Sequence, residues 1–260
     1  PLEYDDYRNL VCIGLSGEIA TTVTTGEVKK GGKISIPHII YHTIPTASQE
    51  ELKLNPPPCN PFKYRHVSEE LAHGIQLRLH RKLALEKIAY FNWAFLNGVE
   101  DNPHVVAAIK ADCEWYVEHG LPTLIQVDTT RHGMKLFAAL ESLGAVFLNR
   151  KDKVQVRNSE RKAFDERRRP ILIATPIFNI GLDFPSLGAL IPAGGGQGGV
   201  KIPQRLARGY QPKDQGPNAF FVTDFMNRWN PMLLEHSITR HDIYLATKII
   251  YDCLYLLCCQ

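Results

Sequence analysis

From residue 123 onward, short runs with almost no polar side chain alternate with longer amphipathic ones. TLIQV (123–127), AVFL (145–148), PILIATP (170–176), LGALIPA (187–193) and AFFVTDF (219–225) have the length and composition of strands. Their near-continuous apolarity suits strands covered on both faces. Between them, RHGMKLFAALESLG (131–144) places Met134, Phe137, Leu140 and Leu143 on one side of a helix, with Gly144 as its stop. RNSERKAFDERRR (157–169) reads as a polar helix, and VKIPQRLARG (200–209) as another despite Pro203 near its start. This alternation predicts an α/β fold, a doubly wound parallel sheet with helices on both faces. Ligands of such sheets sit beyond the carboxyl ends of the strands. That places the candidate site at the loops DTTRHG, ATPIFNIGLDFP, PAGGGQGG and TDFMNRW.

The flanking segments follow other patterns. Residues 1–65 read as short strands and turns, EIATTVTTGEV and GGKISIPHIIYHTIP, followed by the extended connector NPPPCNPF. From Val67 to about Gly98 a stripe of Leu71, Ile75, Leu79, Leu83, Ile88, Phe91 and Phe95 predicts helix. A second helix is expected from Pro103 in its first turn to Glu118, closed by Gly120. Residues 230–257 read as a closing helix pair. The chain is thus divided into a lead-in segment (1–65), a helical segment (66–120) and an α/β domain (121–260).

Composition narrows the picture only slightly. The 260 residues are 44% apolar and 22% charged, ordinary for a globular protein, and a net charge of +3 makes no case for nucleic acid by itself. The distribution says more: Arg161, Lys162, Arg167, Arg168 and Arg169 cluster around one helix, and Lys201, Arg205 and Arg208 around another. Six cysteines without a C-x-x-C pair argue against zinc and for a reducing, cytoplasmic compartment, and no metal site is expected. The first residues contain no signal peptide, and the apolar IIYDCLYLLCC (249–259) is too short for a membrane span and carries Asp252. The opening PLEYDD has no methionine, so a fragment, processed product or excised domain is expected.

The chemistry-bearing stretch is QRLARGYQPKD (204–214). Arg205 and Arg208 stand three residues apart just after the glycine run, as in a helix start that meets an anion. The run GGGQGG (194–199) itself matches no nucleotide fingerprint and reads as a flexible connector. Phe91, Trp93 and Phe95 read as helix packing.

Taken in order, the loops resemble the C-terminal RecA-like lobe of superfamily-two helicases and translocases. TLIQVDTTRHGMKLFAAL resembles motif IV. ILIATPIFNIGLDFP resembles motif V, with Ala174, Thr175, Gly181, Asp183 and Pro185 at the spacing of A-T-x-x-x-x-x-G-x-D-x-P. QRLARGYQPKD resembles motif VI, Q-R-x-G-R-x-x-R. NAFFVTDF and LLEHSITRHDIY resemble the ending of phage-type and restriction-type DNA helicases, and SGEIATTVTTGEVKKGGKISIP the stretch that follows motif III. The resemblance covers about residues 120–245.

It implies a RecA-like sheet with added helices on its N-terminal and C-terminal sides, acting as the second motor lobe of a DNA helicase. Arg205 and Arg208 would face the nucleotide, with Gln204, Gly181 and Asp183 beside it. Thr129, His132, Gly133 and Thr175 would lie on the nucleic-acid side. The implied partners are single-stranded or duplex DNA, with RNA as an alternative, and a first helicase lobe.

Five departures qualify this expectation. No G-x-x-x-x-G-K-[ST] occurs, and DERR (165–168) sits in a polar helix, not at the end of an apolar strand. ATP and Mg are therefore expected only if a first RecA-like lobe comes from another chain or a preceding region, and this chain alone should bind and hydrolyse none. Ala207 replaces the motif VI glycine, Gln211 replaces its last arginine, and Asn179–Ile180 stand where relatives often have an acid. Loss of an arginine finger removes about three to five decades of rate. A catalytically dead RecA-like module serving as a nucleic-acid or protein interaction domain is the alternative reading. A nucleotide or sugar-phosphate enzyme on the same kind of sheet finds no fingerprint or nucleophile elbow here.

Overall fold

The computed structural model describes residues 34–44, 85–175, 184–196, 201–213, 217–246 and 254–256. The elements are β1 (Ile36–Ile44), α1 (85–95) running into a π-helical turn (Leu96–Glu100), α2 (Pro103–Glu118), β2 (Thr123–Gln126), α3 (Thr130–Leu140) and β3 (Ala145–Leu148). After these come α4 (Val154–Asp165), β4 (Ile171–Ala174), β5 (Ala189–Pro192), α5 (Lys201–Leu206), β6 (Ala219–Asn227), α6 (Pro231–Ala246) and β7 (Leu254–Leu256). The seven strands form one sheet in the order β3-β4-β2-β5-β6-β1-β7. Every pairing is parallel. The expected doubly wound parallel sheet is present.

Alternation along the central strands sorts the core into two layers. Ile125, Ile173 and Ile191 face one side, where they pack with Tyr90 and Phe95 of α1, Ile109 and Tyr116 of α2, and Leu136 and Leu140 of α3. Leu124, Leu172 and Leu190 face the other side, toward Phe164 of α4, Ile202 and Leu206 of α5, and Tyr244 of α6. Each of these strand residues is fully buried, which favours the fold by about 1.5–3 kcal/mol apiece. A strand with apolar side chains on both faces has no other stable place than between two helical layers.

Local signals explain the helix ends. Asn102 accepts a hydrogen bond from the His104 N–H at the start of α2, with Pro103 in the first turn. Thr129 does the same for His132 at the start of α3. α4 ends in paired turns, with Arg168 N–H to Ala163 O at 2.8 Å and Arg167 N–H to Phe164 O at 3.0 Å, a Schellman closure.

Four boundaries differ from the sequence expectation. The polar helix begins earlier, at Val154, and the helix around Arg205 tightens into a 3₁₀ turn at Ala207–Gly209. β6 runs on to Asn227. Of the expected closing helix pair, the described residues show one helix, α6, and then β7, which pairs with β1. β1, from the lead-in segment, enters the middle of this half of the sheet and pairs with β6 residue for residue from Ile36↔Ala219 to Ile44↔Asn227.

Candidate functional site

The parallel register aligns the carboxyl ends of four strands into one rim, because Leu148, Ala174, Gln126 and Pro192 are partners across β3, β4, β2 and β5. The chain leaves neighbouring strands in opposite directions here. After β2 it turns to α3 on one face, and after β5 it reaches α5 on the other. A crevice opens where adjacent connections diverge in this way.

An ion pair spans that crevice. Arg205 of α5 donates through Nη2 to Oδ1 of Asp128, two residues beyond β2, at 2.5 Å. The Arg205 side chain is 9% exposed and that of Asp128 34%. Gly194, just past β5, lies so close that a Cβ there would sit 2.1 Å from Asp128 Oδ2 and 3.1 Å from Arg205 Nη1. Arg208, one turn further, is also buried, while Gln204, Ala207 and Gln211 are exposed.

The glycine run is firmly held where it is described. His236 of α6 lies 3.0 Å from the Gly195 carbonyl through Nδ1, and Arg240 donates to the Gly196 carbonyl at 3.4 Å. The part of the expected flexible connector that is described, Gly194–Gly196, thus has two of its carbonyls held by α6, and residues 197–199 lie outside the described residues. Arg240 is itself clamped to the fully buried Asp224 by three hydrogen bonds of 3.0–3.2 Å. It also bonds the Phe225 carbonyl and Ser237, and Tyr244 donates to Asp224 at 2.8 Å. Burial alone would lower the Arg240 pKa, but the charge of Asp224 outweighs it and raises the value.

At the start of α3 the side chains look inward. Thr129 caps His132 and donates its hydroxyl proton to Glu100, a 3% exposed carboxylate that also takes Arg131 at 3.1 Å. Asp101 collects Arg131 and Lys135 at 2.8 and 2.7 Å. Burial raises its pKa, but Lys135 and Arg131 together hold it below the ordinary carboxylate value. His132 is fully buried, edge-on to Phe95, and burial pulls its pKa down to about 4. Gly133 allows α3 to lie on β3, since a Cβ there would come within 2.2 Å of the Phe147 ring. Exposed Thr130 and Arg131 form the outward part of this helix start.

Thr175 stands one residue past β4, partly buried, with its N–H on the Leu148 carbonyl at 3.2 Å. Gly181 and Asp183 lie outside the described residues. The structure thus brings Thr129, Thr175 and Arg205 to one rim. Sequence reasoning had not singled out Asp128, Glu100, Asp224 or Arg240. Asp128 had a signal, an acid directly following a wholly apolar strand. Arg240 had one too, a lone cation among apolar helix positions.

Among the described residues no group of three or more His, Cys, Asp or Glu side chains is arranged to hold a metal ion. None of their helices is long and apolar enough to cross a membrane.

No family model and no curated protein matches the chain. Solved structures do. UvsW of T4 aligns over 86% of this chain and 42% of its own, with 13% identity and a TM-score of 0.52. The fold is RecA-like. S. cerevisiae Dbp5 bound to RNA and ADP BeF3 aligns with this RecA-like chain over 58% of its length and 39% of Dbp5, at 18% identity and TM-score 0.44. The DUF1998 helicase MrfA bound to DNA aligns over 58% of this chain and 20% of its own, at 11% identity and TM-score 0.45. The RecA-like chain spans about two fifths of UvsW and of Dbp5.

Proposed function

We propose that this chain is the second motor lobe of an ATP-dependent nucleic-acid helicase or translocase. In this reading Arg205 and Arg208 are directed to the phosphates of an ATP held between lobes, with Gln204, Gly181 and Asp183 beside them. One strand of nucleic acid runs along the rim past Thr129, Thr175 and the first turn of α3. The observation that carries the reading is the meeting of the Arg205 helix with the loop after β2 at the divergence between β2 and β5. The exposed cations Arg150, Lys151 and Lys153 follow β3 at the same rim and supply charge for a phosphate backbone.

The burial of His132 and Gly133 gives them a supporting part in this proposal. They seat α3 so that its first turn, not their own side chains, meets the strand. Asp128 holds Arg205 through one Nη, and the remaining guanidinium N–H groups have no other partner among the described residues. Mg and the triphosphate would be held mainly by the first lobe, which contributes the phosphate-cradling loop and metal-binding acid in such motors. This chain alone therefore hydrolyses no ATP.

A labelled single-stranded DNA titrated with the purified chain should bind at low ionic strength and weaken steeply with added salt, as counterion release requires. Flat salt dependence, or no binding at low salt, sinks the nucleic-acid role. Arg205→Ala with Arg208→Ala should abolish the effect of ATP on DNA affinity when a first lobe is supplied, and spare DNA binding without nucleotide. Phosphate release by the chain alone with ATP and DNA should stay at background. The dead-module reading draws its support from Gln211, exposed where a third arginine would act. An ATP-blind chain that still binds DNA with a first lobe present would favour it.

A further inference from the structure

At the opposite end of the sheet, the amino ends of β2, β5 and β6 surround a cavity of about 240 Å³. Its ionisable lining groups are His119, Arg167 and Lys213, from the end of α2, the closing turn of α4 and the segment before β6. Among the described residues no carboxylate lines it, and Asp165 of α4 is engaged by Ser186 and Arg161.

Both cations keep unused capacity. Lys213 donates to the Gly209 carbonyl at 3.1 Å and lies 5.3 Å from the centre of the Phe220 ring. Arg167 donates to the Gly120 carbonyl at 3.3 Å. Among the described residues neither meets a carboxylate. A carbonyl takes one of three ammonium protons and one of five guanidinium N–H groups. Burial, and next the charge of Arg167, pulls the Lys213 pKa down to about 8. An anion in the cavity would offset both causes.

The backbone carries a second, independent mark. Arg167 occupies the left-handed position that closes α4, with φ of 57°, where glycine is usual. A side chain there is unfavourable for the backbone, so the fold keeps an arginine at this cavity against the local preference.

We propose that this amino-edge cavity binds the phosphate group of a small phosphorylated molecule through Lys213 and Arg167, with His119 at its border. The site is separate from the rim assigned to nucleic acid and ATP. A cavity of this size with two cations suits a compact anion.

Calorimetric titration of the 260-residue chain with inorganic pyrophosphate at low salt and neutral pH tests this. Binding should be saturable, and Lys213→Gln and Arg167→Gly should each weaken it about tenfold or more, the worth of a charge-assisted hydrogen bond. Arg167→Gly should at the same time leave the melting temperature unchanged or raised, because glycine relieves the left-handed backbone. Lys110→Ala, at an exposed position of α2 outside both sites, should keep pyrophosphate binding. Absence of binding in the parent chain overturns the proposal. So does equal binding in the Lys213 and Arg167 variants, or loss in Lys110→Ala. Displacement of pyrophosphate by single-stranded DNA would instead make the cavity part of a polymer track, and would overturn it as well.

Discussion

At the carboxyl rim, Asp128 faces Arg205, Asp224 faces Arg240, and Glu100 and Asp101 face Arg131 and Lys135. At the amino edge Lys213 and Arg167 meet carbonyl oxygens and, for Lys213, the Phe220 ring, but no carboxylate among the described residues. The difference follows from what each end has to do. The described parts of the rim are tied together by pairs from neighbouring elements. A ligand arriving there must exchange with, or build on, charges already answered. At the amino edge the two cations are answered by carbonyl groups, one each.

The largest expected effect breaks this contrast at its strongest point. Arg240→Met leaves Asp224 buried with only Tyr244 and the Phe225 N–H to support its charge. Removing one partner of a buried pair costs about 3–5 kcal/mol, measurable by urea unfolding. Lys213→Met, which strands no buried acid, should stay within about 1 kcal/mol. Equal losses in the two variants would erase the distinction between the ends.

A comparably large effect belongs to pH. The His132 pKa of about 4 lies below the ordinary value of 6.5. As pH falls through about 6.5 the unfolded chain takes up a proton that the folded chain refuses. Stability is therefore full above that range, declines toward pH 4, and levels off below it. The loss is on the order of 3 kcal/mol. His132→Leu should remove this slope. A parent chain whose unfolding midpoint is flat from pH 7 to 5 would show that the imidazole is solvated. Asp101 acts lower: its depressed pKa adds stability above the ordinary carboxylate range that disappears as pH falls through the folded value.

Thr129→Ala should cost about 1 kcal/mol for the lost cap. It also leaves Glu100 with Arg131 as its remaining side-chain partner. Serine at the same position, which keeps both hydrogen bonds, should recover most of the loss. If serine is as weak as alanine, the methyl packing and not the hydroxyl holds the start of α3.

Much of the layered fold was legible because its signals are local. β2, β4 and β5 are apolar without interruption, and a strand of that kind belongs in the middle of a covered sheet. α2 showed its ends through Pro103 and Gly120. What stayed hidden depends on distant pairing. β1 joins β6 across more than 170 positions of sequence, and nothing in the alternation of IPHIIYHTI names its neighbour. β7 is too short for its period to separate strand from helix. For the candidate site, the order of the loops along the chain was legible while the orientation of their side chains was not. His132 and Gly133 lie in the first turn of α3, and the pitch of the helix turns them onto Phe95 and Phe147. The Asp128–Arg205 pair joins residues 77 positions apart, a contact only the strand order makes.

That pair gives the smallest and most diagnostic effect. Half-screened by solvent on the Asp128 side, it should contribute no more than about 1 kcal/mol in a double-mutant cycle of Asp128→Ala and Arg205→Ala. Gly194→Ala offers an independent way to part the two groups, because the added methyl displaces the carboxylate, the movable end of a side chain. If the pair positions Arg205 for the rim, Gly194→Ala and Asp128→Ala should alter nucleotide-linked DNA affinity in the same direction while shifting stability little. If the two variants act in opposite directions, Asp128 restrains Arg205 and does not aim it.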